Sequence, residues 1–333
     1  MTKPRSQQIS LEATPYYHVT SRCVRRAFLC GIDQIFGKNY EHRREWISQR
    51  LAELERVFCI DINAYAIMSN HYHLVVYINK NIAISLTDDE VIERWQQLYQ
   101  LPLLVQRQRK GERLTKAEKE VINSLVIDWR ERLYDLSWFM RCLNEPIARQ
   151  ANEEDKCTGR FWEGRYKSQA LLDDAALLTC MSYVDLNPIR AKMADSPEAS
   201  DYTSIQSRIQ FGKKKQNSCS PIKLRSFIGN EHQSKSIEKG ICFSFVDYLQ
   251  LVDTAGRAIV ENKRGYISAE LSPVLERIGI EPENWLDNVT KLEQRFFRAV
   301  GAVEKLKDIA THLKQSWIKG ASASRQLYKT QPG

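Results

Sequence analysis

A predicted strand–turn–strand unit in the first quarter of the chain restricts the fold more than any other segment. Residues 62–68 and 71–78 have the β-branched and aromatic composition of strands. Between them lie Ser69 and Asn70, both common in tight turns. The pattern predicts a β-hairpin, and therefore a sheet in which neighbouring strands run antiparallel.

Two histidines occupy alternate positions of the second hairpin strand. Because side chains alternate between the two faces of a strand, His71 and His73 project from the same face, about 7 Å apart along the strand. Two neutral imidazoles at this spacing can bind one divalent metal ion. The alternative is a solvated or hydrogen-bonded pair with no metal.

The remaining elements alternate between strand and helix. Residues 16–20 read as a first strand and 41–58 as an amphipathic helix. A helical insertion is expected at about 86–135, where two capping-box patterns occur. Helical periodicity continues over 136–152, although Pro146 is expected to break or kink that helix.

A later helix carries a tyrosine and an asparagine on one face. It is expected to begin at Asp173 or Asp174 and to end near Asn187, because Pro188 prevents its continuation. Tyr183 and Asn187 are four residues apart and so share a face, distinct from the apolar stripe. They could present a phenol and an amide oxygen together. The alternative is a partly buried tyrosine beside a helix-terminating Asn-Pro.

Composition indicates a soluble protein with a polyanionic partner. Lys and Arg number 49 against 41 Asp and Glu, which leaves a net charge of +8. A hydrophobic content of 43% excludes wholesale disorder. Neither an apolar run of 18 residues nor a secretory signal is present, and none of the eight cysteines forms a CxxC pair. We therefore expect a cytoplasmic protein without membrane spans and with free thiols.

Basic residues, several of them beside aromatic ones, occur in three places: after the first predicted strand, in an extended segment at 160–172, and after the tyrosine helix. Arginine can bind phosphate through two hydrogen bonds, and aromatic rings stack on unpaired bases. For each candidate the alternative is a solvated face or, for Trp162, a place in the core. His18 is expected to be a hydrogen-bonded strand residue without a functional role. The candidate nucleic-acid contacts are Arg22, Arg25, Arg26, Arg160, Trp162, Arg165, Lys167 and Arg190.

Four of these segments, in this order, resemble the HUH single-tyrosine transposases, and among them the REP-associated tyrosine transposases. The segments are YHVTSR at 17–22, HYH at 71–73, GRFWEGRYKS at 159–168 and YVDLNPIRA at 183–191. The chain departs from the compact members in two ways: the segment after the histidine strand is longer, and a helical C-terminal region follows.

The resemblance implies an α+β fold with a ferredoxin-like antiparallel sheet and flanking helices. A catalytic domain would occupy 1–210 and contain the helical insertion. A basic linker at 211–240 and a mostly helical C-terminal domain at 241–333, a candidate for DNA binding, would follow.

The resemblance also implies a chemistry. His71, His73 and Asn187 would bind Mg²⁺ or Mn²⁺, and Tyr183 would be the nucleophile. The protein would be a metal-dependent transposase that cleaves and rejoins single-stranded DNA at or near hairpin-forming palindromic repeats through a 5′-phosphotyrosine intermediate. It would need no nucleotide cofactor and would lie on the nucleoid when bound to DNA.

Two other functions stay open on the sequence alone. One is a domesticated DNA-binding or regulatory protein that retains the fold. The other is an HUH nickase of the replication or relaxase type. A homodimer and a monomer are both compatible with the sequence.

Overall fold

The structure is a computed structural model that describes residues 8–24, 29–32, 37–213, 222–229, 240–261, 272–313, 315 and 318–328. Two of the predicted DNA contacts, Arg25 and Arg26, lie outside the described residues, as does most of the predicted linker over 211–240. The seven cysteines within the described ranges are free thiols.

The described residues form five strands and fifteen helices. The strands are β1 (Tyr16–Arg22), β2 (Ile60–Ile67), β3 (His71–Ile78), β4 (Lys167–Leu171) and β5 (Ala299–Val300). The helices of the first part are α1 (Arg43–Val57), α2 (Lys80–Ser85), α3 (Asp88–Gln96), α4 (Leu103–Arg109), α5 (Lys116–Leu133), α6 (Leu136–Glu154), α7 (Asp174–Asp185), α8 (Asn187–Arg190) and α9 (Ser204–Lys213). Those of the C-terminal region are α10 (Phe245–Val260), α11 (Ser272–Arg277), α12 (Pro282–Thr290), α13 (Leu292–Arg295), α14 (Val303–His312) and α15 (Ala321–Leu327).

The predicted α+β fold is confirmed. The five strands form one sheet in the order β2-β3-β1-β4-β5. The first four pair antiparallel, and their order, with α1 after β1 and helices between β3 and β4, is the ferredoxin-like arrangement. The short β5 pairs parallel with β4. The C-terminal region therefore extends the sheet, which is mixed rather than purely antiparallel.

The hairpin forms at the predicted residues. The backbone N–H of Met68 donates to the carbonyl of His71 at 2.8 Å, which closes the turn around Ser69 and Asn70. Because side chains alternate along β3, the two histidines on either side of Tyr72 both point to the face opposite to that of Tyr72. The turn thus fixes which face of the sheet carries the imidazoles.

Of the predicted break or kink at Pro146, the break is wrong, because helix α6 continues through this residue. Proline has no N–H to donate to the carbonyl four residues earlier, which belongs to Cys142. That carbonyl instead accepts a hydrogen bond of 2.9 Å from Nε of Arg50 on α1. A side chain from a neighbouring helix replaces the lost backbone hydrogen bond.

Different helices cover the two faces of the sheet. Helices α1 and α6 pack together on the face that carries Tyr72, whose hydroxyl donates to Asn144 of α6. Helix α7 covers the opposite face, the one with the histidines, and α10 and α12 pack against α7 in turn. Every residue of α7 from Ala175 to Asp185 is buried, so the helix has no solvent face. Because α7 is enclosed in this way, its packing depends on the C-terminal region.

The tyrosine helix ends differently from the prediction. α7 ends at Asp185, and Leu186 stays in the right-handed helical region, so the short α8 follows at once. Pro188 is the second residue of α8, where its missing N–H is tolerated. Pro188 thus lies in the first turn of α8 and is not the residue that ends α7.

None of the helices within the described ranges combines the length and the hydropathy needed to span a lipid bilayer.

Candidate metal and tyrosine site

Two neighbouring strands place four polar residues, His18, Thr20, His71 and His73, on the face of the sheet under α7. On β1, Thr20 lies directly opposite His73 of β3, and Arg22 lies opposite His71. His18 is two residues before Thr20 and therefore points to the same face. The strand register alone thus gathers His18, Thr20, His71 and His73 in one place.

The hydrogen bonds of His18 determine which of its ring nitrogens carries the proton. Nδ1 of His18 lies 2.8 Å from Oε1 of Gln169. The amide nitrogen of Gln169 donates to the carbonyl of Phe296 at 3.1 Å, so its oxygen is the atom that faces His18. Nδ1 of His18 therefore carries the proton, and Nε2 is an acceptor.

His73 carries its own proton on the side facing His18. Nδ1 of His73 lies 3.0 Å from Nε2 of His18 and 3.2 Å from Oγ1 of Thr20. Since Nε2 of His18 can only accept, Nδ1 of His73 is the donor. This leaves a lone pair on Nε2 of His73, which is buried and without a hydrogen-bond partner in the described part of the chain. An orphaned buried imidazole nitrogen is the kind of atom that a metal ion satisfies.

His71 has the same proton arrangement. Its Nδ1 lies 2.5 Å from Oδ1 of Asn70, the second turn residue, so Nδ1 donates and Nε2 keeps a lone pair. The ring centroids of His71 and His73 are 4.8 Å apart, with the rings nearly perpendicular at 81°. Two adjacent imidazoles are thus held in tautomers whose Nε2 atoms can bind a metal.

The C-terminal region supplies a carboxylate at this site. Glu293 of α13 accepts a hydrogen bond of 3.0 Å from Oγ1 of Thr20, and its Oε1 lies 3.7 Å from Nδ1 of His73. One ligand atom from each of His18, His73 and Glu293 lies within 4.8 Å of the others. These three side chains could therefore also hold a metal ion.

Burial keeps the imidazoles neutral. It lowers the pKa of His18 and, together with the neighbouring histidines and Arg22 and Arg190, lowers the pKa of His73 well below its ordinary value. The pKa of His71 falls to about 4, mainly through burial and then through Arg22. Neutral imidazole is the form that binds metals. All three rings are therefore in their ligand form at neutral pH.

Tyr183 lies directly over these rings. Its ring centroid is 5.5 Å from that of His73 and 6.0 Å from that of His18, edge to face in both cases. The side chain is 5% exposed, and burial and Glu293 raise the pKa of the phenol to about 12. The guanidinium of Arg190, 4.6 Å from the ring centroid, acts in the opposite direction. The phenol is thus protonated and poised beside a cation.

Asn187, the third predicted metal ligand, is buried at the start of α8. Its Oδ1 accepts a hydrogen bond of 3.3 Å from Arg190, which also lies over Tyr183. Its amide nitrogen is buried and has no partner among the described residues. The structure therefore connects Asn187 to Tyr183 through Arg190, and its role as a ligand stays a prediction.

The predicted DNA contacts among the described residues lie in four places, one of which is that of Arg190 over Tyr183. Arg22 lies opposite His71, and Lys167 lies opposite Thr20, so both project from the site face and are exposed. Trp162 is half-buried, and its indole N–H donates to the carbonyl of Asn144, at the α6 side of the sheet. The structure leaves Arg160 and Arg165 exposed on the loop before β4.

Four residues of the site were missed by sequence reasoning: His18, Thr20, Gln169 and Glu293. The spacing of His18 and Thr20, two residues apart on a strand, indicates that both side chains lie on one face of the sheet. The sequence does not indicate that β1 pairs with β3 rather than with another strand. Glu293 gave no signal, because nothing in its local sequence shows that α13 reaches the sheet.

Comparison with known proteins adds one structural similarity. No family model matches the sequence, and no curated protein sequence matches it. Among solved structures, the chain is similar to one described as "Structure of the REP associates tyrosine transposase bound to a REP hairpin". The sequence identity is 11% and the TM-score 0.38, over 72% of this chain and 97% of that chain. The function is therefore inferred from the motifs and from the side chains of the site.

Proposed function

We propose that this chain is a metal-dependent DNA strand transferase of the single-tyrosine transposase type. It would cleave and rejoin single-stranded DNA at or near hairpin-forming palindromic repeats, with Tyr183 as the nucleophile. One observation carries the proposal: the phenol ring of Tyr183 lies 5.5 Å from the ring of His73, whose Nε2 is buried and has no hydrogen-bond partner among the residues that the structure describes.

The donor set suits a divalent ion such as Mg²⁺ or Mn²⁺. Two ligand sets share His73: one adds His71 and Asn187, and the other adds His18 and Glu293. Nitrogen and oxygen donors of either set bind such ions. A bound divalent ion would polarise a phosphate oxygen and screen the charge of the phosphodiester that is attacked.

The proposed cleavage conserves the phosphodiester energy. The oxygen of Tyr183 forms a bond to phosphorus while the bond from phosphorus to the 3′ oxygen breaks. The phenolic proton passes to solvent, and the 3′ oxygen takes up a proton as it leaves, so the products are a 5′-phosphotyrosine and a free 3′-OH. Attack by a 3′-OH reverses the exchange and releases the tyrosine, so no nucleotide is consumed.

Basic side chains around the site match a DNA backbone. Arg22 and Lys167 project from the site face, and Arg190 lies over Tyr183. Cations at these positions would draw a phosphate towards the buried phenol. Arg190 also opposes the rise in the pKa of Tyr183, so it favours the phenolate that the attack requires.

The test is formation of a covalent protein–DNA adduct. The protein would be incubated with labelled single-stranded hairpin oligonucleotides taken from the DNA flanking its own gene, with and without Mn²⁺, and the products separated under denaturing conditions. We expect a metal-dependent adduct in the wild type, none in Tyr183→Phe, and undiminished adduct in the control Tyr134→Phe, whose half-buried tyrosine lies on the insertion side.

Two results would overturn this assignment. An undiminished adduct in Tyr183→Phe would mean that another residue is the nucleophile. Tight hairpin binding by the wild type with no adduct under any metal condition would favour the domesticated DNA-binding protein instead.

A further inference from the structure

We propose that His18 and Gln169 are positioning residues that hold the proton of His73 on Nδ1, so that Nε2 of His73 always faces the metal as a lone pair. The inference rests on the metal site of the proposed function but not on its DNA chemistry. It gives a role to two buried polar side chains that lie outside the ligand set of His71, His73 and Asn187.

We call the chain of hydrogen bonds from Phe296 through Gln169 and His18 to His73 the relay. The relay starts at the backbone of the C-terminal region. The amide nitrogen of Gln169 is tied to the carbonyl of Phe296, just before β5 pairs with β4. This hydrogen bond fixes the orientation of the amide group, so that its oxygen faces His18. Gln169 is 6% exposed, so water cannot easily replace either contact.

The orientation passes from Gln169 to His73 through one ring. With the oxygen of Gln169 at 2.8 Å, His18 is protonated at Nδ1 and can only accept at Nε2. His73 donates to that atom at 3.0 Å, and the two rings lie nearly parallel at 13°. Both histidines are 1% exposed, so each hydrogen bond is shielded from solvent.

The opposite tautomer of His73 is disfavoured on both sides of the ring. It would place two lone pairs face to face across the 3.0 Å contact with His18. It would also put an N–H at Nε2, a buried position without an acceptor in the described residues. A metal at Nε2 needs neither change, because the ligand lone pair is already in place. Partners of this kind orient metal-ligating histidines in general.

The relay also distinguishes between the two possible ligand sets of His73, the one with His71 and Asn187 and the one with His18 and Glu293. An ion held between His18, His73 and Glu293 would use the space where the proton of His73 now lies, so that proton would have to move to Nε2. An ion bound at Nε2 of His73 with His71 keeps every hydrogen bond of the relay. The geometry therefore favours His71 over His18 as the second ligand, and makes Thr20 and Glu293 supporting residues.

The experiment measures Mn²⁺ binding and proton position on the full chain, without DNA. Mn²⁺ affinity would be determined by electron paramagnetic resonance for the wild type, His18→Leu, Gln169→Leu and His18→Gln, and for His71→Ala and Glu293→Gln, which compare the two ligand sets. Nitrogen-15 spectra of the metal-free protein would report which nitrogen of His73 is protonated. Thermal unfolding of each variant would check that it is folded.

We expect His18→Leu and Gln169→Leu to weaken Mn²⁺ binding by about 10–100-fold. His18→Gln should recover most of this loss, because its amide oxygen can accept at the place of Nε2. Wild-type His73 should be protonated on Nδ1, and the two leucine variants should show a mixture of tautomers. A loss of packing alone would lower the unfolding temperature without producing that mixture.

Three outcomes would overturn the inference. They are a proton on Nε2 of His73 in the wild type, wild-type Mn²⁺ affinity in both leucine variants, or a larger loss of affinity in Glu293→Gln than in His71→Ala. The last would identify the set of His18, His73 and Glu293 as the ligands. A protein that passes these tests yet forms no DNA adduct would refute the proposed function and leave the relay intact.

Discussion

Removing one hydroxyl group tests whether the C-terminal region is docked on the tyrosine helix. Tyr248 of α10 is fully buried, and its hydroxyl donates at 2.6 Å to Oδ2 of Asp185, two residues after Tyr183. The other oxygen of Asp185 accepts from Ser204 and from the backbone N–H of Ile205. Burial raises the pKa of this carboxyl to about 6 although these hydrogen bonds oppose the rise.

Tyr248→Phe should lower the free energy of unfolding by about 1.5–3 kcal/mol at pH 8. That is the usual value of a hydrogen bond to a charged group, and deleting a hydroxyl leaves almost no cavity. The hydroxyl favours the charged carboxylate, so its loss raises the pKa of Asp185 further. The folded variant then holds a proton to higher pH than the folded wild type, and its deficit in stability grows as pH rises through about 6.

The assay is urea unfolding at pH 5 and pH 8, with Tyr134→Phe as the control. The hydroxyl of Tyr134 makes no hydrogen bond within the described ranges, so the control should stay within about 0.5 kcal/mol of the wild type. A deficit for Tyr248→Phe below about 0.5 kcal/mol at both pH values would refute the docking of α10 on α7 through this contact.

Three further predictions concern the phenol, the proline helix and the DNA. Adduct formation should accelerate about tenfold per unit between pH 6 and 9, because the pKa of Tyr183 is about 12 and only the phenolate attacks; a flat rate profile would count against this nucleophile. Arg50→Met should cost about 1–3 kcal/mol in urea unfolding but much less in a Pro146→Ala background, where the alanine N–H can serve the Cys142 carbonyl; equal costs would rule out that pairing. Arg22→Ala should reduce the slope of log affinity against log salt for a single-stranded hairpin by about 0.7; an unchanged slope would exclude a phosphate contact there.

Local patterns predicted most of the sheet. The alternation in 71–78 and the turn formers before it depend only on neighbouring residues, and β3 forms with the bounds that were predicted. Helix α1 lies within the predicted 41–58 for the same reason. The predicted break at Pro146 does not occur, because Arg50, which is far away in the sequence, supplies the missing hydrogen bond.

The candidate site was predicted only where its residues lie in motifs. Tyr183, His71 and His73 are drawn together as the motif order suggested, although their roles are still predictions. For His18 the sequence predicted only a hydrogen-bonded strand residue, because its place in the site depends on the pairing between β1 and β3. Glu293 could not be foreseen, since it reaches the site through the packing of the C-terminal region and not through a local pattern.

The central claim is that a divalent ion and the Tyr183 phenol share one site on the face of the sheet under α7. Anomalous diffraction from crystals of the protein soaked in Mn²⁺ would locate the ion directly. The account predicts a single strong peak at Nε2 of His73, bound also by His71 and close to the ring of Tyr183. A Mn²⁺ peak elsewhere in the molecule, with none at His73, would contradict it.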